Sequence, residues 1–168
     1  MEKKLLLLGA LRNHEMHGYQ LSEVLGHRVG LPIRLTKPNA YKLLRKMEQD
    51  GWVSSREEQD GKRPPRRVYK ITPSGEIAFQ EMLRESLGSY NIPEFPGTVA
   101  INFLDLLPLA EAISLLAQRR EEAADYFKEL DELSAEVRVS HPSIEYLIQF
   151  LQSELKWLDE LIDRQPGT

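Results

Sequence analysis

Hydrophobic and polar positions along the first half of the chain repeat with the spacing of helices. The run from Lys3 to Arg12 predicts a buried first helix, and the stretch from Gly18 to Leu25 predicts a second one. From Thr36 to Asp50 the repeat is clearest, because apolar residues fall at i, i+3, i+4 and i+7. This apolar stripe consists of Ala40, Leu43, Leu44 and Met47. The third helix is therefore predicted to bury one side and to expose a polar, basic side.

The spacing changes between residues 52 and 71, where two short β-prone segments predict a two-stranded hairpin. The tip of this hairpin, residues 58–65, contains a glycine, basic residues and two consecutive prolines. Thr72 and Pro73 then fit the N-cap and the first turn of a fourth helix, which extends to about Leu87. The first half thus consists of three helices, a hairpin with a basic tip, and a closing helix.

The second half of the chain is predicted to be helical throughout. Two prolines within residues 91–97 indicate a boundary between a first domain, residues 1–90, and a second domain, residues 91–168. In the last helix, apolar residues alternate at spacings of four and three, as in a coiled coil. We expect this stripe to form the interface with a second subunit: Ile144, Ile148, Leu151, Leu155, Leu158 and Ile162.

A longer helix before the last one shows a similar but less regular seam. This seam extends from Leu109 to Val137 if Arg120 and Ser134 are included as polar members. Additional apolar residues widen the surface of the last helix beyond what one neighbour covers. The last helix is therefore expected to pack antiparallel against the longer helix of its own chain and against a second copy of the protein.

Charge is distributed unevenly between the two halves. Residues 1–90 hold 16 Lys and Arg against 11 Asp and Glu, whereas residues 91–168 hold 6 against 15. Within residues 34–70 the count is 11 basic to 5 acidic. A basic run alone is most often a solvated face, but this one coincides with the third helix and the hairpin.

Several classes of protein are excluded by what the sequence lacks. There is no cysteine, so disulfides and thiolate metal sites are absent, which suits a cytoplasmic protein. No apolar run is long enough to span a membrane. The pair His14 and His17 falls one residue short of a zinc-binding H-E-x-x-H motif, and no nucleophile elbow or phosphate-binding loop is present. We therefore expect no metal, no cofactor and no catalytic site.

The order of these elements is that of a winged helix-turn-helix, in which the third helix enters the major groove of DNA and the hairpin contacts the flanking backbone or the minor groove. At residues 17–21, 41–53 and 66–75, with the sequences HGYQL, YKLLRKMEQDGWV and RRVYKITPSG, the chain resembles the PadR family of bacterial transcriptional regulators. The predicted fold is mainly α: an N-terminal winged helix-turn-helix with a two-stranded wing, and a C-terminal helical dimerisation domain with antiparallel, coiled-coil-like helices. The resemblance implies a homodimer that binds double-stranded DNA at a pseudo-palindromic operator and represses genes until a small molecule or other signal releases it.

Candidate DNA-binding residues lie on the third helix, residues 36–50, and on the wing, residues 52–71. They are Lys37, Asn39, Tyr41, Lys42, Arg45, Lys46, Lys62, Arg63, Arg66 and Arg67. The lysines and Arg45 suit phosphate contacts, and Asn39 suits either an adenine contact or a local cap. Tyr41 either contacts DNA or covers the junction of helix and wing. Arg67 either contacts DNA or pairs with Glu57.

Three aromatic residues, Trp52, Phe150 and Trp157, could line a pocket for a flat effector. The alternative is that Trp52 packs in the core of the wing and that Phe150 and Trp157 pack in the dimer interface. For the whole protein, the alternative function is a winged-helix module that binds another protein and has no specific affinity for DNA.

Overall fold

The computed structural model of the protein describes residues 1–18, 20–21, 35–59, 65–90, 92, 95 and 97–165. The chain divides into two compact units, which meet in the sequence between residues 92 and 93. Each unit has a hydrophobic core of its own. The fold is mainly helical with one small antiparallel sheet, as the sequence predicts.

The first unit is built around three described helices: α1 (Glu2–Leu11), α2 (Lys37–Gln49) and α3 (Pro73–Gly88). Residues 18, 20 and 21 are also helical, and the remainder of the predicted second helix lies outside the described residues. The predicted stripe of α2 faces the core, where Ala40, Leu44 and Met47 are buried. These side chains pack with buried leucines of α1 and with Val53, Tyr69 and Phe79.

Among the described residues the sheet has three strands, β1 (Met16–His17), β2 (Val53–Glu58) and β3 (Arg66–Ile71), in the order β1-β3-β2. The predicted hairpin is formed by β2 and β3, with Val53 opposite Ile71 and Glu57 opposite Arg67. The third strand was not predicted. It pairs Met16 with Tyr69 and therefore covers part of the free edge of β3.

The end of α2 is fixed by backbone hydrogen bonds around a glycine. The Trp52 N–H donates to the Met47 carbonyl at 2.8 Å, and the Gly51 N–H donates to the Glu48 carbonyl at 3.0 Å. Gly51 has a φ of 75°, which glycine adopts without strain. This Schellman arrangement turns the chain from α2 directly into β2.

The start of α3 is joined to the same turn. Thr72 is the N-cap residue: its hydroxyl oxygen accepts from the Gly75 N–H at 3.0 Å, as predicted from the sequence. The hydroxyls of Thr72 and Ser74 also donate to the Gly51 carbonyl, each at 2.7 Å. The C-terminus of α2, the strand pair and α3 are therefore held by one network of hydrogen bonds.

The described part of the second unit contains five helical elements. They are α4 (Thr98–Ile101), a 3-10 turn (Leu104–Leu106), α5 (Leu109–Asp131), α6 (Ala135–Ser140) and α7 (Pro142–Asp163). The long helices α5 and α7 pack antiparallel, because Arg119 pairs with Glu154 whereas Leu130, further along α5, packs in the same cluster as Ile144 near the start of α7.

Two sequence predictions for this unit need correction. The seam predicted up to Val137 is not one helix, since α5 ends at Asp131 and Ser134 instead caps α6 by accepting from the Val137 N–H at 3.4 Å. In addition, four of the six residues predicted to face a second subunit are at most 6% exposed within this single chain. These four are Ile144, Ile148, Leu151 and Leu158.

A side chain that its own chain already covers has almost no area left to bury against another subunit. The assignment of those four residues to a dimer interface was therefore wrong. They belong to the interior of the second unit, where three of them form a cluster with Leu130. Leu155 and Ile162 are half-buried, and their place in an interface stays a prediction.

Candidate nucleic-acid interface

The outer side of α2 is a polar surface that the sequence pattern predicted, and the structure exposes it as expected. Tyr41, Lys42, Arg45, Lys46 and Gln49 are all exposed. Together with Pro38 they line an open groove of about 490 Å³ that follows the helix. The amphipathic spacing of α2 alone produces this division, since the opposite stripe fills the core.

Basic side chains on α2 are mostly uncompensated. Among the described residues, no carboxylate forms an ion pair with Lys37, Lys42 or Arg45. Lys46 differs, because its Nζ lies 2.9 Å from Oδ1 of Asp50, one turn later in the chain. The positive potential of this surface therefore comes mainly from three side chains, all of which are exposed.

Arg56 and Lys70 on the sheet are, in contrast, paired with acids. Arg56 on β2 forms ion pairs with Glu15 and, at 2.6 Å, with Glu58. Lys70 on β3 lies 3.1 Å from Glu15. The carboxylate of Glu15 thus bridges two neighbouring strands. These pairs compensate the charges of Arg56 and Lys70 locally, although the sequence run is strongly basic.

Arg67 lies between two carboxylates, 3.8 Å from Glu48 of α2 and 4.0 Å from Glu57 of β2. The pairing with Glu57 is the alternative that the sequence raised for this residue. Glu48 also accepts a hydrogen bond of 2.6 Å from the Ser55 hydroxyl. Arg67 therefore ties the wing to α2, and its assignment to DNA contact is weakened.

The pKa values follow from these contacts. The hydrogen bond from Arg56, followed by that from Lys70, holds the pKa of the Glu15 carboxyl below its ordinary value. Burial raises the pKa of Tyr69, partly offset by Arg67. Glu15 is therefore ionised over the neutral range, and its pairs with Arg56 and Lys70 persist there.

Tyr41 separates the groove on α2 from a second cavity. This cavity has a volume of about 270 Å³ and lies between α2 and the sheet, with Gly18, Tyr41, Arg45, Arg66 and Tyr69 among its lining residues. Tyr41 and Arg45 line both the cavity and the groove. The Tyr41 side chain is 37% exposed, so one part of its ring is packed and another part is accessible.

The remaining predicted site residues are placed as follows. Asn39 and Arg66 are exposed, on the first turn of α2 and at the start of β3. Lys62 and Arg63 lie outside the described residues. Trp52 packs against the core of the first unit, with the Lys4 ammonium 4.6 Å from its ring centroid. This location agrees with a structural role for Trp52.

Phe150 and Trp157, the other two aromatic candidates, belong to α7 of the second unit. Phe150 is stacked on Phe95 with a centroid separation of 5.9 Å and an interplanar angle of 20°. Trp157 is half-buried two turns further along the helix. An effector site beside these rings stays a prediction.

The histidine motif of the sequence does not lie on a helix. His17 belongs to β1, and His14 precedes that strand. Within the described part of the chain, no group of three His, Asp or Glu residues is placed to hold a metal ion. None of the helices searched there is long and apolar enough to cross a membrane.

Two features of this surface escaped sequence reasoning. Glu15 is distant in sequence from the strands that it compensates, Glu48 lies on the helix before β2, and no periodicity links either of them to Arg56 or Arg67. Gly18 was noted only as a helix start, yet it lies against the ring of Tyr41. Both are products of tertiary packing and have no local signal.

Comparison with known proteins was made by family model and by structure. Residues 7–81 match the model of the transcriptional regulator PadR-like family, and residues 98–164 match the model of the virulence activator alpha C-terminal domain. No curated protein matches the sequence significantly.

Solved structures match over nearly the whole chain. Bacillus subtilis PadR in complex with operator DNA has 18% sequence identity and a TM-score of 0.79, with 97% of this chain and 98% of that chain covered. The Vibrio cholerae virulence activator AphA has 17% identity and a TM-score of 0.72, with 96% of each chain covered. Bacillus subtilis PadR in complex with p-coumaric acid has 18% identity and a TM-score of 0.71, with 98% and 96% covered.

These identities establish a shared fold, and the two family models cover the described cores of both units. The proteins matched are transcriptional regulators and not enzymes. The chain is therefore similar to the PadR-like family of transcriptional regulators over residues 7–81 and to the virulence activator alpha C-terminal domain over residues 98–164.

Proposed function

We propose that the protein is a homodimeric, sequence-specific repressor that binds a pseudo-palindromic operator in the cytoplasm and is released by a small molecule. In this proposal α2 lies in the major groove, and the wing of residues 52–71 lies on the flanking backbone or in the minor groove. Two copies of α2 related by a two-fold axis would contact half-sites roughly 34–36 Å apart.

The observation that carries this proposal is the uncompensated charge on the outer side of α2. Lys37, Lys42 and Arg45 are exposed, and in the described structure no acid is paired with them. An α-helix with its side chains is about 10–12 Å wide, and the major groove is about 12 Å wide. A phosphate backbone supplies the partners that these cations lack within the protein.

The polar residues of α2 differ in the parts of DNA that they suit. Lys37 and Lys42 are point charges that suit phosphates, whereas Arg45 can form a bidentate pair with either a phosphate or a guanine. Asn39 lies on the first turn of α2, and its proposed role is to contact a base edge, as the N-terminal residues of recognition helices do. Binding of DNA is supported by Bacillus subtilis PadR, a protein of the same fold that has been solved in complex with operator DNA.

Dimerisation is supported by apolar side chains that the second unit leaves exposed. Leu106 is 74% exposed and Tyr146 is 65% exposed, and Phe103 and Leu115 are also exposed. Single exposed apolar residues are common, but this number within one small unit favours a partner surface. A second copy of the chain would bury them and would fix the distance between the two α2 helices.

Release by a small molecule is supported by an aromatic surface and by a relative. The stacked rings of Phe95 and Phe150 offer a flat apolar surface on the second unit. Bacillus subtilis PadR, which has the same fold, has been solved with p-coumaric acid. We infer that a flat effector binding beside these rings changes the spacing of the two DNA-binding units.

The proposal is tested by titrating the purified protein with a labelled duplex selected by the protein from a randomised library, beside a shuffled duplex. Preference for the selected duplex by about 10³-fold or more, with several counterions released per dimer, is the expected result. Arg45→Ala should weaken that binding by about tenfold or more. Arg84→Ala is the matched control, because Arg84 is an exposed arginine of α3 outside the groove and the cavity.

Equal affinity for both duplexes, with Arg45→Ala and Arg84→Ala behaving alike, would overturn the proposal. The alternative of a protein-binding module would then be preferred. Size measurement by sedimentation on the same preparations tests the homodimer independently of DNA.

A further inference from the structure

We propose that Gly18 is a positioning residue for operator recognition, because the absence of a side chain at this position sets where the ring of Tyr41 stands on the DNA-facing surface. This inference rests on the proposed function. It concerns a residue in the interior of the first unit, and not one of the exposed candidates on α2 or the wing.

The contact between the two residues is unusually close. A Cβ on Gly18 would lie 2.5 Å from Cε1 of Tyr41 and 2.9 Å from both Cζ and the hydroxyl oxygen. Ordinary contacts between carbon atoms begin near 3.5 Å. The phenol therefore lies directly against the backbone of Gly18, at a depth that no other residue type would permit.

The position of Tyr41 makes this contact consequential. Its ring forms a wall of both the groove along α2 and the cavity between α2 and the sheet. Arg45 borders both spaces as well. A shift of the ring therefore changes the shape of the surface that α2 presents and the space available to Arg45.

Alanine at position 18 would move the ring and leave the fold in place. The atoms that its Cβ meets belong to the outer end of a side chain that is 37% exposed, and not to the backbone or the core. The ring can retreat toward solvent by about 1 Å to restore normal contact. A recognition group must be held within about 0.5 Å of its working position, so this displacement is large enough to weaken a base or phosphate contact.

The test is a double-mutant cycle with four proteins: the natural sequence, Gly18→Ala, Tyr41→Ala, and the double variant. Affinity for the selected duplex and for the shuffled duplex is measured at several salt concentrations. We expect Gly18→Ala to weaken binding of the selected duplex by about tenfold in the natural background and to have no further effect in the Tyr41→Ala background.

Two further readouts distinguish positioning from a general loss of structure. Gly18→Ala removes no charge, so the dependence of affinity on salt should keep its slope, and binding of the shuffled duplex should be unchanged. The thermal unfolding midpoint should stay within the range of the natural protein. If Gly18→Ala does not fold, the double variant still should, because removal of the ring leaves room for the added methyl group.

Failure of this inference is separable from failure of the proposed function. If Arg45→Ala weakens binding of the selected duplex but Gly18→Ala does not, only the positioning role is overturned. If Gly18→Ala weakens binding of the selected duplex by the same factor with and without the Tyr41→Ala change, the loss of affinity does not depend on the ring. The positioning role is then overturned as well. If the natural protein does not distinguish the two duplexes, the proposed function itself fails.

Discussion

The carbonyl oxygen of Trp52 lies where a side chain on Gly75 would begin: a Cβ at that glycine would stand 1.9 Å from the oxygen. The carbonyl cannot withdraw easily, because it accepts a hydrogen bond of 3.0 Å from the Thr72 N–H. We therefore expect Gly75→Ala to destabilise the first unit by about 1–3 kcal/mol, the usual cost of forced overpacking. Chemical denaturation of the natural protein and the variant measures the difference.

Gly88→Ala is the control for this prediction. Gly88 is the last residue of α3, and a Cβ there would have no neighbour within 4 Å. Alanine stabilises a helix by up to about 1 kcal/mol relative to glycine, so this variant should be as stable as the natural protein or slightly more stable. Equal destabilisation of both variants would show that the Trp52 carbonyl is not the cause.

Lys42 and Lys46 provide a matched pair of charges on one helix. Both are exposed, but Lys46 is already paired with Asp50 at 2.9 Å whereas Lys42 has no such partner among the described residues. Lys42→Gln should therefore weaken DNA binding more than Lys46→Gln. Each lost phosphate contact should also lower the slope of log affinity against log salt by about 1, which is measured by titration at several salt concentrations.

Asp50→Asn tests the reason for that difference. Without this carboxylate, Lys46 is free to bind a phosphate of DNA. In the Asp50→Asn background, Lys46→Gln should then weaken DNA binding as much as Lys42→Gln does. If Lys46→Gln already weakens DNA binding as much as Lys42→Gln when Asp50 is present, the role assigned to Asp50 is contradicted.

Asp159 links acid stability to the packing of α5 against α7. Its hydrogen bonds with Arg120, at 2.5 and 3.1 Å, hold the pKa of the Asp159 carboxyl below its ordinary value of 3.8. Folding thus favours the ionised carboxylate. Its contribution to the free energy of unfolding is complete above pH 3.8 and is lost as the pH falls through the lowered pKa. Asp159→Asn should lower the unfolding temperature at neutral pH, and this difference should shrink below pH 3.8.

Asp125→Asn serves as its control. Asp125 is exposed on α5 and forms no ion pair with any described residue. Its replacement should leave the unfolding temperature and the acid dependence unchanged. If both variants shift alike, the effect belongs to net charge and not to the pair with Arg120.

The exposed apolar side chains of the second unit give a prediction for assembly. Leu106→Glu places a charge on a side chain that is 74% exposed, so it should leave the fold of one chain intact while it disfavours burial against a second chain. Sedimentation should show a shift from dimer toward monomer. Val139→Glu is a suitable comparison, because Val139 is 83% exposed on the short helix α6.

A variant Leu106→Glu that stays dimeric would mean that Leu106 is not in the interface. If Val139→Glu dissociates the dimer instead, the contact surface includes α6.

The sequence predicts the first unit well because its signals are local. The stripe of α2, the stop at Gly51 and the Thr72 cap each depend on a few consecutive residues, and all three are found. The strand β1 was missed because two residues, Met16 and His17, are too few to show alternation. Its existence depends on the edge of β3, which is about fifty residues away in the sequence.

The second unit shows where periodicity stops being informative. A spacing of four and three reveals which side of α7 is buried, but it does not reveal whether the same chain or another one buries it. For Ile144 and Ile148 the partner is α5 of the same chain. The break of the long seam at residues 132–134 was likewise missed, because Ser134 fits a seam position and an N-cap equally well by sequence.

The short strand β1 also affects how copies of this protein can meet. Without it, the backbone of β3 at Val68 and Tyr69 would offer unpaired groups along the side of the sheet away from β2. The opposite side ends in β2, whose Arg56, Glu57 and Glu58 are charged and exposed. Sheets protected in these two ways resist edge-to-edge aggregation. In the DNA complex proposed above, copies crowded on one duplex would therefore not template β-sheet polymers through this hairpin.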